Sequence, residues 1–225
     1  MIIPRKLLIS GAVSPYFIDS NAGSNSASAT SRTWSHTTTS DTTCLVVGTF
    51  AANNKNTANV TGVTYNGVSL TQVVKSAAGS GQGGLWVMFN PPVGKYNVVM
   101  TASSGDRGIA GNSANFGGVS AVNVSGNAAL ASTDPRTLTI TSTAKGLPVG
   151  HKIILGGNST LHTVTASAPT GMAEERANKF VANSFAKYQG LFYSDTLVDA
   201  GSTSFTSDMT GGSMGTNSSQ YMILT

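Results

Sequence analysis

The chain has 225 residues, of which only 10% are charged and 40% hydrophobic, with a net charge of +4 and one cysteine. An ordinary soluble domain carries about 25% charged residues; here Ser, Thr, Asn and Gly supply the polar surface. The single Cys44 excludes an intrachain disulfide, and the 13 Lys and Arg are scattered rather than interleaved with aromatics, so the balance does not point to nucleic acid.

Residues 1–20 read as an apolar and basic N-terminal arm. Its apolar run after Arg5-Lys6 is too short for a signal peptide, and no small-residue cleavage site follows it. No stretch approaches the ~20 apolar residues that cross a bilayer as a helix. These readings predict a chain made in a cytosol, with no membrane partner. Residues 21–30, Asn-Ala-Gly-Ser-Asn-Ser-Ala-Ser-Ala-Thr, have the composition of a flexible connector. Residues 31–225 show no linker-like shift and no obvious repeat, which predicts a single β-sandwich domain.

Strand candidates then arrive in a steady rhythm: 31–38, 43–52, 60–65, 68–75, 85–90, 95–102, 112–124, 136–142, 151–156, 160–167, 173–181, 189–193, 202–206 and 219–225. The sharpest signal is Val63/Tyr65 and Val68/Leu70 at period two around Asn66-Gly67. Asn and Gly tolerate the positive φ of a type I′ turn, whose twist matches the strands it joins. Leu85–Asn90, Pro91-Pro92-Val93-Gly94 and Tyr96–Met100 form a second strand–turn–strand pattern. Residues 173–187 allow two readings: strand plus loop, or a short helix with Ala177, Val181 and Phe185 on one stripe and Glu175/Lys179 four apart. The fold class expected is all-β, a jelly-roll-like antiparallel β-sandwich with an extended N-terminal arm.

Motifs with chemistry are sparse. Gly79-Ser80-Gly81-Gln82-Gly83-Gly84 matches a dinucleotide fingerprint, but a strand rather than a helix follows it, so a hairpin loop is expected. Gly211-Gly212-Ser213-Met214-Gly215 matches a nucleophile elbow, yet neither Asp nor His follows. His36, His151 and His162 lie far apart, without carboxylates at a fixed offset, and read as surface or half-buried histidines. Asp195 and Asp199 lack the alternating oxygens and following Glu of a calcium loop. Cys44 precedes an apolar strand, where a thiol packs as a small hydrophobe. Asn59, Asn123, Asn158 and Asn217 stand in sequons that an Asn/Ser/Thr-rich chain makes by chance. Trp34 and Trp86 allow two roles, core anchor or sugar platform, with core preferred. No acid–base pair, nucleophile–base pair or metal set is evident, so neither enzyme activity nor a cofactor is expected.

The order Trp34-Ser35-His36-Thr37, Leu45-Val46-Val47-Gly48, Val63–Leu70, Leu85-Trp86 through Gly94, Asn115–Val119, Ala168–Met172 and Tyr193-Ser194-Asp195 resembles a diffuse family of jelly-roll-like β-sandwich domains. The family occurs in tailed-phage structural proteins and some bacterial surface proteins. The resemblance spans roughly residues 30–225, and its motifs are turns and core strands. It implies a virion structural protein, most of all a capsid decoration (cement) protein, with a major capsid protein or other virion subunits as partners. It also implies a homo-oligomer such as a trimer. The expected docking residues are Ile2, Ile3, Arg5, Lys6, Leu7, Leu8, Ile9, Tyr16 and Phe17. Alternatives are a tail, collar or fibre component and a carbohydrate-binding module.

Overall fold

The computed structural model describes residues 13–53, 57–76, 81–131, 136–156, 163–168, 172–182, 185–210 and 214–225. These residues form strands and no helix: β1 (Tyr16–Ser26), β2 (Ser31–Thr38), β3 (Cys44–Ala52), β4 (Val60–Tyr65), β5 (Val68–Ser69), β6 (Thr71–Lys75), β7 (Gly81–Phe89), β8 (Gly94–Ala102) and β9 (Gly108–Gly117). After residues 118–121 follow β10 (Val122–Ala131), β11 (Arg136–Ser142), β12 (Leu147–Gly156), β13 (Thr163–Ala168), β14 (Met172–Ala182), β15 (Phe185–Ser194), β16 (Gly201–Thr210) and β17 (Met214–Leu224). The all-β expectation holds.

The strands make four antiparallel sheets rather than the two of a single sandwich. The first runs β1-β9-β3-β7-β6 and the second β2-β8-β4-β5; the third runs β10-β17-β12-β15-β14 and the fourth β11-β16-β13. Apolar cores lie between them, and Phe50, Ala110 and Ile153 form a small further cluster between the first and third sheets. Trp34, Leu45, Val47, Tyr65, Val98 and Met100 fill the space between the second and first sheets. Val46, Val87, Phe116, Val149, Leu191 and Met222 fill that between the first and third. Ile154, Tyr188, Phe192, Phe205, Tyr221 and Ile223 lie between the third and fourth. Successive side chains of a strand point to opposite faces, so Leu45/Val47 enter one core and Cys44/Val46 the next. This is why β3 reads as an unbroken apolar run: both of its faces are covered.

The Asn66-Gly67 turn forms as expected, with φ of 51° and 75° and Tyr65 opposite Val68. A Cβ on Gly67 would meet nothing within 4 Å, so Gly67→Ala isolates the backbone conformation. It should cost about 1 kcal/mol in urea unfolding, the usual cost of placing an L side chain in the left-handed region. An unchanged midpoint would mean that the hairpin relaxes to another turn.

Three expectations need correction, and one open reading is resolved. The polar run taken for a connector is largely strand: Tyr16–Ser26 pairs with β9 along the edge of the first sheet. Its small polar residues serve close approach there. Asn21 Nδ2 donates to the Ser35 carbonyl at 2.7 Å, and Gly23, at φ 68°, lies where a Cβ would strike the Gly111 carbonyl. The 112–124 segment divides at Gly118 (φ 67°), which separates β9 from β10. Of the two readings of residues 173–187 the strand one holds: Met172–Ala182 is β14 and Phe185 opens β15, with Glu175 at the bulge between Glu174 and Arg176. Gly81–Gly84 belong to β7 rather than a loop, because Gly83 and Gly84 pass beneath the carbonyls of Thr49 and Val74.

Candidate functional site

Of the expected docking residues, Ile2, Ile3, Arg5, Lys6, Leu7, Leu8 and Ile9 lie outside the described residues. Tyr16 and Phe17 are not part of a free arm. Tyr16 is 43% exposed and covers Gly117, whereas Phe17 stacks on Tyr193 with ring centroids 4.0 Å apart and meets Phe116 edge-on at 5.8 Å. Phe17 therefore fastens the edge strand of the first sheet to the third sheet. Val13 and Pro15, where the described chain begins, line a mainly apolar cleft of about 460 Å³ together with Val119, Lys145 and Thr225.

Trp34 and Trp86 are each 6% exposed, which removes them as sugar platforms. Trp86 Nε1 donates to Thr49 Oγ1 at 3.0 Å. Trp34 Nε1 donates to Ser113 Oγ at 3.0 Å and starts a directed chain. Asn115 spends its amide hydrogens on Asp19 and on the Thr37 carbonyl, so its oxygen must accept from His36 Nε2, 2.9 Å away. A neutral His36 then offers Nδ1 as acceptor to the Ser113 hydroxyl at 2.9 Å. The tautomer is fixed by its partners. Burial lowers the His36 pKa, with the Asn115 bond and the Asp19 charge opposing in part.

Ser113, His36, Asn115 and Asp19 thus reproduce the outline of a nucleophile–base–orienter set. Its chemistry is blocked by placement. Ser113 is fully buried, its oxygen already accepts the indole N–H, and neither described cleft is lined by these side chains. Here Ser113, His36 and Asn115 act as a polar pillar inside an apolar core, with the exposed Asp19 at its outer end. The sequence reading missed it because the partners stand 77–79 residues apart.

A second chain of hydrogen bonds crosses between the first and third sheets. Gln189 Nε2 donates to Asn112 Oδ1 at 2.8 Å and to His151 Nε2 at 2.9 Å. His151 Nδ1 donates to Gln220 Oε1 at 2.6 Å, and Gln220 donates onward to Ser218 Oγ at 2.7 Å. His151 is wholly buried, and desolvation brings its pKa down to about 4. His36 and His151 are thus fully buried rather than the surface or half-buried residues expected; His162 lies outside the described residues. Cys44 is buried as expected, with its thiol pushed up to about 12 by desolvation, far from a reactive thiolate. Burial, aided by the Arg107 charge, brings the Lys187 ammonium down to about 8.

On the surface, Lys145 and Asp199 form an exposed ion pair at 3.1 Å, so Asp199 has a partner other than calcium. Among the described residues no three His, Cys, Asp or Glu converge as a metal site. A second cleft, also about 460 Å³, lies by the Asn66-Gly67 turn and is lined by Thr64, Lys95, Tyr96 and Asn97. The chain matches no known family, no characterised protein and no solved structure.

Proposed function

We propose that the chain is a virion structural protein of a tailed phage, acting as a capsid decoration subunit that docks through its N-terminal residues. The observation that carries this reading is the apolar cleft at the root of the arm: Val13 and Pro15 line it with Val119, directly after Ile2, Ile3, Leu7, Leu8 and Ile9 in sequence. A docking segment needs apolar side chains to offset the entropy of ordering it, and a rigid base from which to leave. Supporting the jelly-roll reading, the order β1-β9-β3-β7 faces β2-β8-β4-β5, so the chain passes repeatedly from one sheet to the other. Sheets stack about 10 Å apart, so four layers set the two outermost sheets about 30 Å apart, facing opposite ways. That arrangement suits a subunit that bridges neighbours.

The test is truncation. Because Tyr16–Ser26 is a strand, the deletion must stop short of it. Removing residues 1–12 should shift the melting temperature by no more than about 2 °C, on the scale set by domains of this size. It should also abolish attachment to undecorated capsids in a co-sedimentation assay. Attachment equal to that of the full chain would place docking elsewhere. If both forms bind tails and neither binds capsids, the tail alternative replaces the decoration reading.

A further inference from the structure

We infer that residues 13–117 and 122–225 are two copies of one folding unit, and that the large sheet of each is an interaction surface shaped for a second copy of that unit. The first and third sheets have the same order once β1, β3, β6, β7 and β9 are replaced by β10, β12, β14, β15 and β17. The second and fourth agree likewise, with β2, β4 and β8 replaced by β11, β13 and β16. The replacements keep chain order throughout, and only the two-residue β5 has no counterpart among the described strands.

Pairing agrees residue by residue. Trp34 faces Val98 and Thr38 faces Gly94 in one unit, while Leu138 faces Phe205 and Ser142 faces Gly201 in the other. Gly94 and Gly201 share an unusual φ, 136° and 129°. Irregularities recur at the same places. The shift between Phe17 and Asp19 opposite Phe116/Asn115 has its twin between Val122 and Val124 opposite Leu224/Ile223. The shift between Gln72 and Val74 opposite Trp86/Leu85 has its twin between Glu174 and Arg176 opposite Phe192/Leu191. A bulge is a specific local feature, and two coincidences of this kind are not expected from sandwich geometry alone. Faint sequence echoes sit at matching positions: Arg32-Thr33-Trp34 with Arg136-Thr137-Leu138, and Gly84-Leu85-Trp86 with Gly190-Leu191-Phe192.

The two units meet through equivalent sheets, and their contacts exchange. β1 lies against β14 as β10 lies against β6; β9 lies against β15 as β17 lies against β7; β7 lies against β12 as β15 lies against β3. This is the isologous pattern of a two-fold dimer, here closed within one chain. Gly48, opposite Leu85 and Asn112, is the equivalent of His151, opposite Leu191 and Gln220. A Cβ on Gly48 would stand 2.9 Å from His151 Cδ2, so these equivalent positions touch and mark the pseudo-axis. Gly83 and Gln189 are the neighbouring equivalent pair, facing Phe50 and Ile153. The first unit thus offers glycine at both places where the second carries His and Gln. Two copies of the second unit would set imidazole against imidazole, while the first against the second fits. The divergence makes each unit specific for the other.

The test exchanges size across the axis in the full chain. Gly48→His and His151→Gly should each raise the unfolding equilibrium constant roughly 10- to 100-fold, one by overpacking and one by leaving a hole with unpaired amides. The double variant should regain at least about tenfold over the product of the two losses. A double variant no better than that product overturns the axis. A crystal structure of the unmodified chain asks the same question without relying on a variant to fold. Residues 32–38, 44–52, 81–88, 94–101 and 108–116 should superpose on 136–142, 147–155, 187–194, 201–208 and 216–224. The rotation should lie within about 20° of the 180° that two-fold packing demands, and one far from it refutes the proposal.

Discussion

Lowering the pH from 7 to 4 should remove about 3 kcal/mol of unfolding free energy through His151 alone, with His36 adding to the loss. Both imidazoles are held neutral inside the fold, so their folded pKa values lie below the ordinary 6.5. A depressed folded pKa contributes stability that is complete above the unfolded pKa and is lost as pH falls toward the folded one. For His151 that window runs from 6.5 down to about 4. At about 1.4 kcal/mol per pKa unit, the window corresponds to the loss stated. Protonating His151 would also turn Nε2 into a donor facing the Gln189 amide, so a hydrogen bond becomes a repulsion. The chain has nine Asp and Glu in all, which limits how much carboxylates can contribute to the same slope. Urea unfolding followed by tryptophan fluorescence at several pH values measures it. A midpoint that stays level between pH 6.5 and 4.5 would show that the histidines are hydrated in solution.

The strand content was legible in the sequence because period-two patterning and turn residues are local signals. Asn66-Gly67 and Pro91-Pro92 announced their turns outright, and the burial of Cys44 followed from the apolar run it opens. What failed was composition used as a proxy for order. Residues 21–26 look like a linker, yet at a sheet edge Asn21 bonds across to β2 and Gly23 admits a backbone oxygen. The duplication proposed above was hidden for a different reason. Equivalence between the halves lives in register and bulge positions, while the residues there have diverged, as Gly48 and His151 show. The polar chain through Ser113 was hidden because its members come from β1, β2 and β9, which only the fold brings together.

Trp34→Ala should cost about 3–5 kcal/mol, the range for emptying a large aromatic site in a packed core. Trp34→Phe should cost about 1–2 kcal/mol, since a ring remains but Ser113 Oγ loses its incoming donor. The indole lies so close over Gly111 that a Cβ there would stand 2.4 Å from Cη2, so Gly111→Ala should reproduce part of the loss without touching the tryptophan. The second unit shows that the scaffold does not itself require the polar pillar. At the positions matching Asp19, Trp34, His36, Ser113 and Asn115 it carries Val124, Leu138, Ile140, Tyr221 and Ile223, all packed in the apolar core under the fourth sheet. The same architecture therefore closes over aliphatic and aromatic side chains in one copy and over a directed chain of hydrogen bonds in the other. Such a chain is costly when partly satisfied, so removing one link should expose the rest. Chemical unfolding of the Ala, Phe and Gly111 variants at pH 7 checks this directly. A Trp34→Phe protein as stable as the parent would mean that the indole N–H adds nothing and that ring packing alone holds β2 to β9.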